Sequence, residues 1–287
     1  MSPLDTFLEQ AWSDHGEQPG AVAERLTQAL PMLQDDDGLL RLAALAHHVL
    51  GEHLGRWQEG LSFMEQLAGC AVHGAAGAAS LARCQASLRL CAGLGDDRAD
   101  LGPSDRCRVS IMAAANLAAS DPARSSELLQ QAVALAGDLP DADPGVRAMA
   151  ANSNSIAGTL QGLAPLGPGQ SALMLAAAQV ARMQWERCGS WLEVERAEYR
   201  LALCWLAAGD PARALQHGQL CDAIVREHGA LPLELFFAAE VLCLPARALG
   251  DLSGQAAALE TARQAFEALS AADQGWCRAT LDTLERS

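Results

Sequence analysis

The stretch from His47 to His53 carries the side chains best placed to do chemistry: His47, His48, Glu52 and His53. His48 and Glu52 stand four positions apart, so a helix would put an imidazole and a carboxylate on one face, a spacing that two ligands of one metal ion can use. No third or fourth ligand is identifiable, and the zinc-peptidase arrangement His-Glu-x-x-His is absent. Polar residues on a surface or in a groove account for the cluster equally well, and no metal is expected. Asp35, Asp36 and Asp37 could imitate a metal-binding aspartate loop. Directly before an apolar helix they are expected instead to cap its first turn and to complement its dipole. Pro168-Gly169-Gln170-Ser171 could cradle an anion on backbone N–H groups, but it lacks a Lys, a preceding strand and the glycine fingerprint, and reads as a loop between helices. Gly-x-Ser-x-Gly is absent. A Ser–His–Asp or Cys–His site could still be assembled from distant residues, although none of the nine cysteines stands out for it.

Composition narrows the chemistry further. All 20 basic residues are Arg, so a Schiff-base lysine, a phosphate-loop lysine and a Ser-x-x-Lys nucleophile are excluded. Codon bias in a GC-rich genome is the plain account of that usage. The net charge of -15 repels phosphate backbones and argues against nucleic acid. The cysteines are odd in number, form no C-x-x-C pair and sit among apolar residues, as in Leu203-Cys204-Trp205, which suits small buried hydrophobes in a reduced, cytoplasmic chain. Residues 1–10 show acids and no apolar core of a signal peptide, and the longest apolar candidate, Leu231 to Leu249, is broken by Pro232, Glu234, Glu240, Pro245 and Arg247. No membrane association and no cofactor are expected.

The elements that must position any site are helices. Ala and Leu dominate and β-branched residues are sparse, which favours helix over sheet. Apolar residues recur at helical spacing almost throughout, first at Leu4, Phe7, Leu8, Ala11 and Trp12. His15-Gly16 ends that helix and Pro19 opens the next. The same punctuation returns at Leu54-Gly55-Arg56, at Ser120-Asp121-Pro122-Ala123-Arg124, at Gly209-Asp210-Pro211-Ala212-Arg213 and at Gly250-Asp251-Leu252. The two Asp-Pro-Ala-Arg turns are the clearest internal echo: Asp can cap the second helix and Pro fits its first position. Three polar breaks interrupt the pattern, at 95–104 after a long helix over about 75–92, at 137–145 and at 163–169. A final helix over 271–286 is expected to place Trp276, Thr280, Leu281 and Leu284 on one side and to act as a polar-faced cap.

With these turns the chain resembles the tetratricopeptide repeat family. There a Gly closes the first helix of each hairpin and a small residue about five positions later admits close packing. Here Gly209 is followed by Ala214, Ser120 by Ser125, Gly55 by Gly60, and Gly250 by Gln255-Ala256. Ala113, Ala202 and Cys243 fall near the family's small position in the first helix, and Trp205 where the family usually has an aromatic. The later turns recur about 40–45 residues apart rather than the usual 34 or so, as in long-helix modules of bacterial regulators. The resemblance covers most of the chain and is strongest from Ser104 to Leu269. It implies an all-α solenoid, a TPR-like superhelix of antiparallel hairpins with about 13–14 helices, its first and third hairpins atypical. One array is expected over 1–287: N-terminal hairpins over 1–94, an interruption at 95–103 whose role as a hinge is left open, regular hairpins over 104–270 and the cap over 271–287.

Stacked hairpins line a concave surface with their first helices. Arg83, Arg108, Arg147 and Arg196 recur in successive first helices, and Arg200 follows Arg196 by one turn. Asn152, Ser153, Asn154 and Ser155 interrupt an Ala-rich helix where such residues compete with backbone bonds. One reading is a groove in which Arg83, Arg108, Arg147, Arg196 and Arg200 pair with carboxylates, Asn152 and Asn154 bond an extended peptide, and Tyr199 adds contact surface. The other is that the arginines pair with the chain's own acids and that Asn and Ser bridge helices or face water. The six Trp are expected in the core, Trp57, Trp185, Trp191 and Trp205 among them. The expectation for function is a non-catalytic protein- or peptide-binding scaffold or adaptor, bacterial and regulatory or chaperone-like, whose partner carries an acidic segment. The alternative is a sensor of an acidic small molecule or signalling peptide. Oligomeric state is left open.

Overall fold

The computed structural model describes residues 2–70, 74–163 and 165–286. These residues fold as α-helices without a strand. The helices are α1 (Pro3–Asp14), α2 (Pro19–Arg25), α3 (Asp36–Ala46), α4 (Trp57–Ala68), α5 (Ala75–Cys91), α6 (Pro103–Leu117), α7 (Pro122–Gly137), α8 (Pro144–Gln161), α9 (Pro168–Cys188), α10 (Trp191–Ala207), α11 (Pro211–Glu227), α12 (Pro232–Leu249), α13 (Leu252–Glu267) and α14 (Ala271–Glu285). Two short 3-10 segments, Leu26–Met32 and Asp97–Asp100, and one π-helical segment, His47–His53, complete the pattern. Consecutive helices pack against one another, as in a helical repeat.

Local chemistry sets the helix ends. Pro opens α1, α2, α6, α7, α8, α9, α11 and α12, where its missing N–H costs nothing and its fixed φ suits the first turn. In both Asp-Pro-Ala-Arg turns the Asp caps as expected: Asp121 accepts from the Arg124 N–H and Asp210 from the Arg213 N–H, each at 3.0 Å. Gly209 takes φ +81°, a left-handed turn that admits the Asp210 N–H to the Trp205 carbonyl at 2.9 Å. The Asp35–Asp37 run does more than cap one helix. Asp35 caps α3 through the Gly38 N–H at 2.8 Å, while Asp36 accepts from Gly74 at 2.7 Å and Gly77 at 3.1 Å and so caps α5 as well.

The small positions behave unevenly. Ser125 is fully buried and its Oγ donates to the Ala114 carbonyl at 2.7 Å, fastening α7 to α6. Gly60 lies under Leu88, and Ala113, Ala202, Ala214 and Cys243 are buried. At the last turn Ala256 is exposed, and the close approach is made by the Gln255 carbonyl, 3.8 Å from Cys243 Sγ.

The chain divides into two compact units, Met1–Asn152 and Ser153–Ser287, with the division inside α8. In the first unit α3, α4, α5, α6 and α7 pack in sequence, α3 also against α5. Its core joins Leu4, Leu8, Leu26, Leu39, Leu42, Phe63, Met64, Leu67 and Leu88. The polar break after α5 is pinned to its neighbours: Arg98 bonds Asp96 at 2.7 Å, Ser110 of α6 at 2.8 Å and Gln131 of α7 at 3.0 Å. In the second unit α9 packs on α10, α10 on α11, α11 on α12 and α12 on α13, with α14 against α12 and α13. Phe236, Phe266, Cys277, Leu281 and Leu284 form its terminal core. The buried side of α14 is therefore Cys277, Leu281 and Leu284. Trp276, expected with them, is 66% exposed and touches only the margin, edge-on to Phe237. No helix among the described residues is long and apolar enough to cross a membrane.

Candidate functional site

Helix α10 places the site, and its start is written locally. Ser190 Oγ accepts from the Leu192 N–H at 3.3 Å while Glu193 accepts from the Ser190 N–H at 2.8 Å, a reciprocal cap. One side of α10 is buried and acidic. Glu195, 1% exposed, receives Cys221 Sγ of α11 at 2.9 Å. Glu198 receives Arg182 of α9 at 2.6 Å and His217 of α11 at 2.7 Å. Burial pushes the Glu195 carboxyl up to about 7.

The other side of α10 presents Arg196, Tyr199, Arg200, Leu203 and Ala207, three and four apart and therefore on one face. Arg196 reaches Glu234 of α12 at 3.0 Å. The Tyr199 hydroxyl donates to Glu240 of α12 at 2.8 Å, and Arg200 donates to Gln161 of α8 at 2.7 Å. Gln161, Tyr199, Arg200, Leu203, Leu206, Ala207, Glu240 and Leu244 line a pocket of about 500 Å³. Every one of these residues lies on α8, α10 or α12 within the second unit, and the pocket is open on one side. Burial raises the Glu240 carboxyl above the ordinary carboxylate range; burial and the adjacent Glu240 charge raise the Tyr199 phenol. Arg200 Nε is buried without a hydrogen-bond partner. The pocket thus combines the Arg200 guanidinium, an amide, a carboxyl of reduced acidity and three leucines. It suits a group with an acceptor oxygen joined to an apolar body, such as a carboxylate or a peptide carbonyl beside an aliphatic side chain.

The eight expected groove residues do not meet at one place. Tyr199 and Arg200 share the pocket, and Arg196 stands one turn before them. Arg83 and Arg108 belong to the first unit, where both lie on Asp105, at 3.0 and 3.4 Å. Burial, then the charge of Arg83, lowers the Arg108 pKa. Arg147 is exposed on α8. Asn152 turns back on its own helix, donating to the Ala148 carbonyl at 2.8 Å, while Asn154 is half-buried. Arg83, Arg108 and Arg196 thus pair with the chain's own acids, the second of the two sequence readings.

Sequence reasoning misses Gln161, Glu240, Leu203, Leu206 and Leu244. Glu240 does carry a signal: a lone acid in the apolar run before Pro245 needs a partner when the helix is buried. Of the tryptophans expected in the core, Trp57, Trp185, Trp191 and Trp205 are all half-buried; Trp191 stacks on His228 at 4.6 Å and Trp205 carries the Arg213 guanidinium at 4.5 Å. All nine cysteines are free. No protein-family model matches this chain, and neither a curated protein nor a solved structure is significantly similar to it.

Proposed function

We propose that this chain is a non-catalytic scaffold that binds a protein or peptide partner on the face formed by α8, α10 and α12. The observation that carries the reading is the composition of the pocket: alternate helices line it, and the intervening α9 and α11 contribute nothing to it. Alternate helices on one face are what a TPR-like α-solenoid of antiparallel hairpins would provide. The shared cap chemistry of the Asp121 and Asp210 turns, the buried small residues at Ser125 and Ala214, and the long helices support that architecture. The partner segment carries a carboxylate or a backbone carbonyl for Arg200 and an aliphatic side chain for Leu203, Leu206 and Leu244. A regulatory or chaperone-like adaptor role in a bacterial cytoplasm fits the absence of Lys, the free thiols and the acidic composition.

The second reading, a sensor of an acidic small molecule, is favoured by the pocket's volume, about 500 Å³, which lies in the range of ligand sites. The open side of the pocket favours the peptide. The test is affinity purification of the tagged chain from cells that naturally make it, comparing wild type with Arg200→Glu and with Arg226→Gln as a control on α11. The expected result is at least a tenfold loss of the partner in Arg200→Glu with unchanged helicity, and full recovery in the control. Equal recovery from all three proteins would remove the face from the binding site.

A further inference from the structure

A second site lies in the first unit, where the fold completes what the His47–His53 stretch only began. His15 is the C-cap of α1, held there by its N–H on the Ala11 carbonyl at 3.0 Å. His48 and His53 lie on the π-helical continuation of α3. One ring nitrogen from each of the three imidazoles lies within 4.8 Å of the other two. We propose that His15, His48 and His53 bind a divalent transition-metal ion of the zinc class.

Three features support this. The first is the π segment. In an α-helix residues five apart point about 140° away from one another, so His48 and His53 would diverge. The wider π turn brings residue five over the first, and the two Nε2 atoms stand 3.0 Å apart. Gly51 eases the fit: Asn116 Oδ1 of α6 would be 2.7 Å from a Cβ there, so any larger residue would have to push the Asn116 side chain aside. The second is the outer hydrogen bonding. His15 Nδ1 lies 2.6 Å from the Trp12 carbonyl, and His48 Nδ1 lies 2.8 Å from Glu52 Oε2. Carbonyl and carboxylate oxygens accept only, so both Nδ1 atoms carry hydrogen and both rings turn an Nε2 lone pair outward. A carbonyl and a carboxylate behind ligating histidines are the usual means of fixing tautomer and raising basicity. The third is access. His15 and His48 are half-buried and His53 is exposed, while the Trp12 ring, 5.4 Å from that of His48, covers one side. Imidazole suits zinc, copper and nickel, with metal–nitrogen bonds of about 2.0–2.1 Å, so small rotations of these rings close the site. Three protein ligands leave a coordination position for water or a ligand.

The test is titration of the reduced full-length protein with Co²⁺, read by its visible absorption, and with Zn²⁺ in competition against a chelator. Wild type is expected to bind one ion with no thiolate-to-metal charge-transfer band. His15→Ala and His53→Ala, both at accessible helix ends, are expected to keep full helicity and to weaken binding by at least 100-fold. Glu52→Gln should weaken it by about 10–100-fold. A thiolate band, wild-type affinity in either histidine variant, or no binding by wild type would overturn the proposal.

Discussion

At the residue scale Glu195 on α10 makes stability depend on pH. Glu195 is held at about 7 rather than near 4.5, first by burial. Between those values the folded chain keeps a proton that the unfolded chain has lost. Its contribution is therefore greatest below the ordinary carboxyl pKa and falls as pH rises from about 4.5 to about 7, levelling beyond. The fall is of the order of 3 kcal/mol, since each tenfold difference in proton affinity between the two states is worth about 1.4 kcal/mol. Glu195→Gln keeps an oxygen for Cys221 and removes the titration. Thermal unfolding from pH 5 to pH 8 should show the variant gaining on wild type as pH rises; parallel curves would mean that Glu195 titrates alike in the folded and unfolded chains. Nothing in the sequence marks Glu195 apart from Glu193 or Glu198. Its burial depends on the register of α10 against α11, which brings Cys221 rather than an arginine to it. The same cause hides the partner of Arg83, which reaches Asp105 from α5 across to α6, whereas Arg108 meets that carboxylate three positions along its own helix.

At the element scale the close approach of α11 to α12 rests on Gly218. A Cβ there would stand 2.3 Å from the Val241 carbonyl oxygen, which is backbone and cannot swing aside. Gly275, inside α14, has nothing within 4 Å of the same position. Gly218→Ala should therefore destabilise the protein by about 2 kcal/mol through overpacking, although alanine is the better helix former. Gly275→Ala should stabilise it by about 0.5–1 kcal/mol through that same propensity. Denaturant unfolding of the two variants checks the pair, and effects of the same sign would show that packing does not decide between them. Elements are legible where their ends are local. The Asp-Pro-Ala-Arg turns, the 75–92 helix and the C-terminal cap follow from residues within a few positions of each boundary. The π segment is not legible, because a fixed period of 3.6 residues sets His48 and His53 on different faces. Nor is the cap of α5, since its acceptor, Asp36, lies 38 residues before Gly74 in the chain. His48 and His53 are close in sequence, whereas His15 joins them only through the packing of the first unit.

At the scale of the whole molecule the two sites belong to different compact units, the histidine cluster to the first and the pocket to the second. The function proposed above turns on the second, where a partner would dock on α8, α10 and α12. Ala207 lines the pocket and is exposed, so a photo-reactive residue placed there leaves the core intact. Leu220, half exposed on α11, gives a matched position outside the pocket lining. Docking is tested by site-specific photo-crosslinking from these two positions in the cells that make the protein, with the adduct identified by mass spectrometry. One defined adduct is expected from position 207, abolished by Arg200→Glu, and none from position 220. A partner captured from 220 and not from 207, or an adduct at 207 indifferent to Arg200→Glu, would place the binding surface elsewhere.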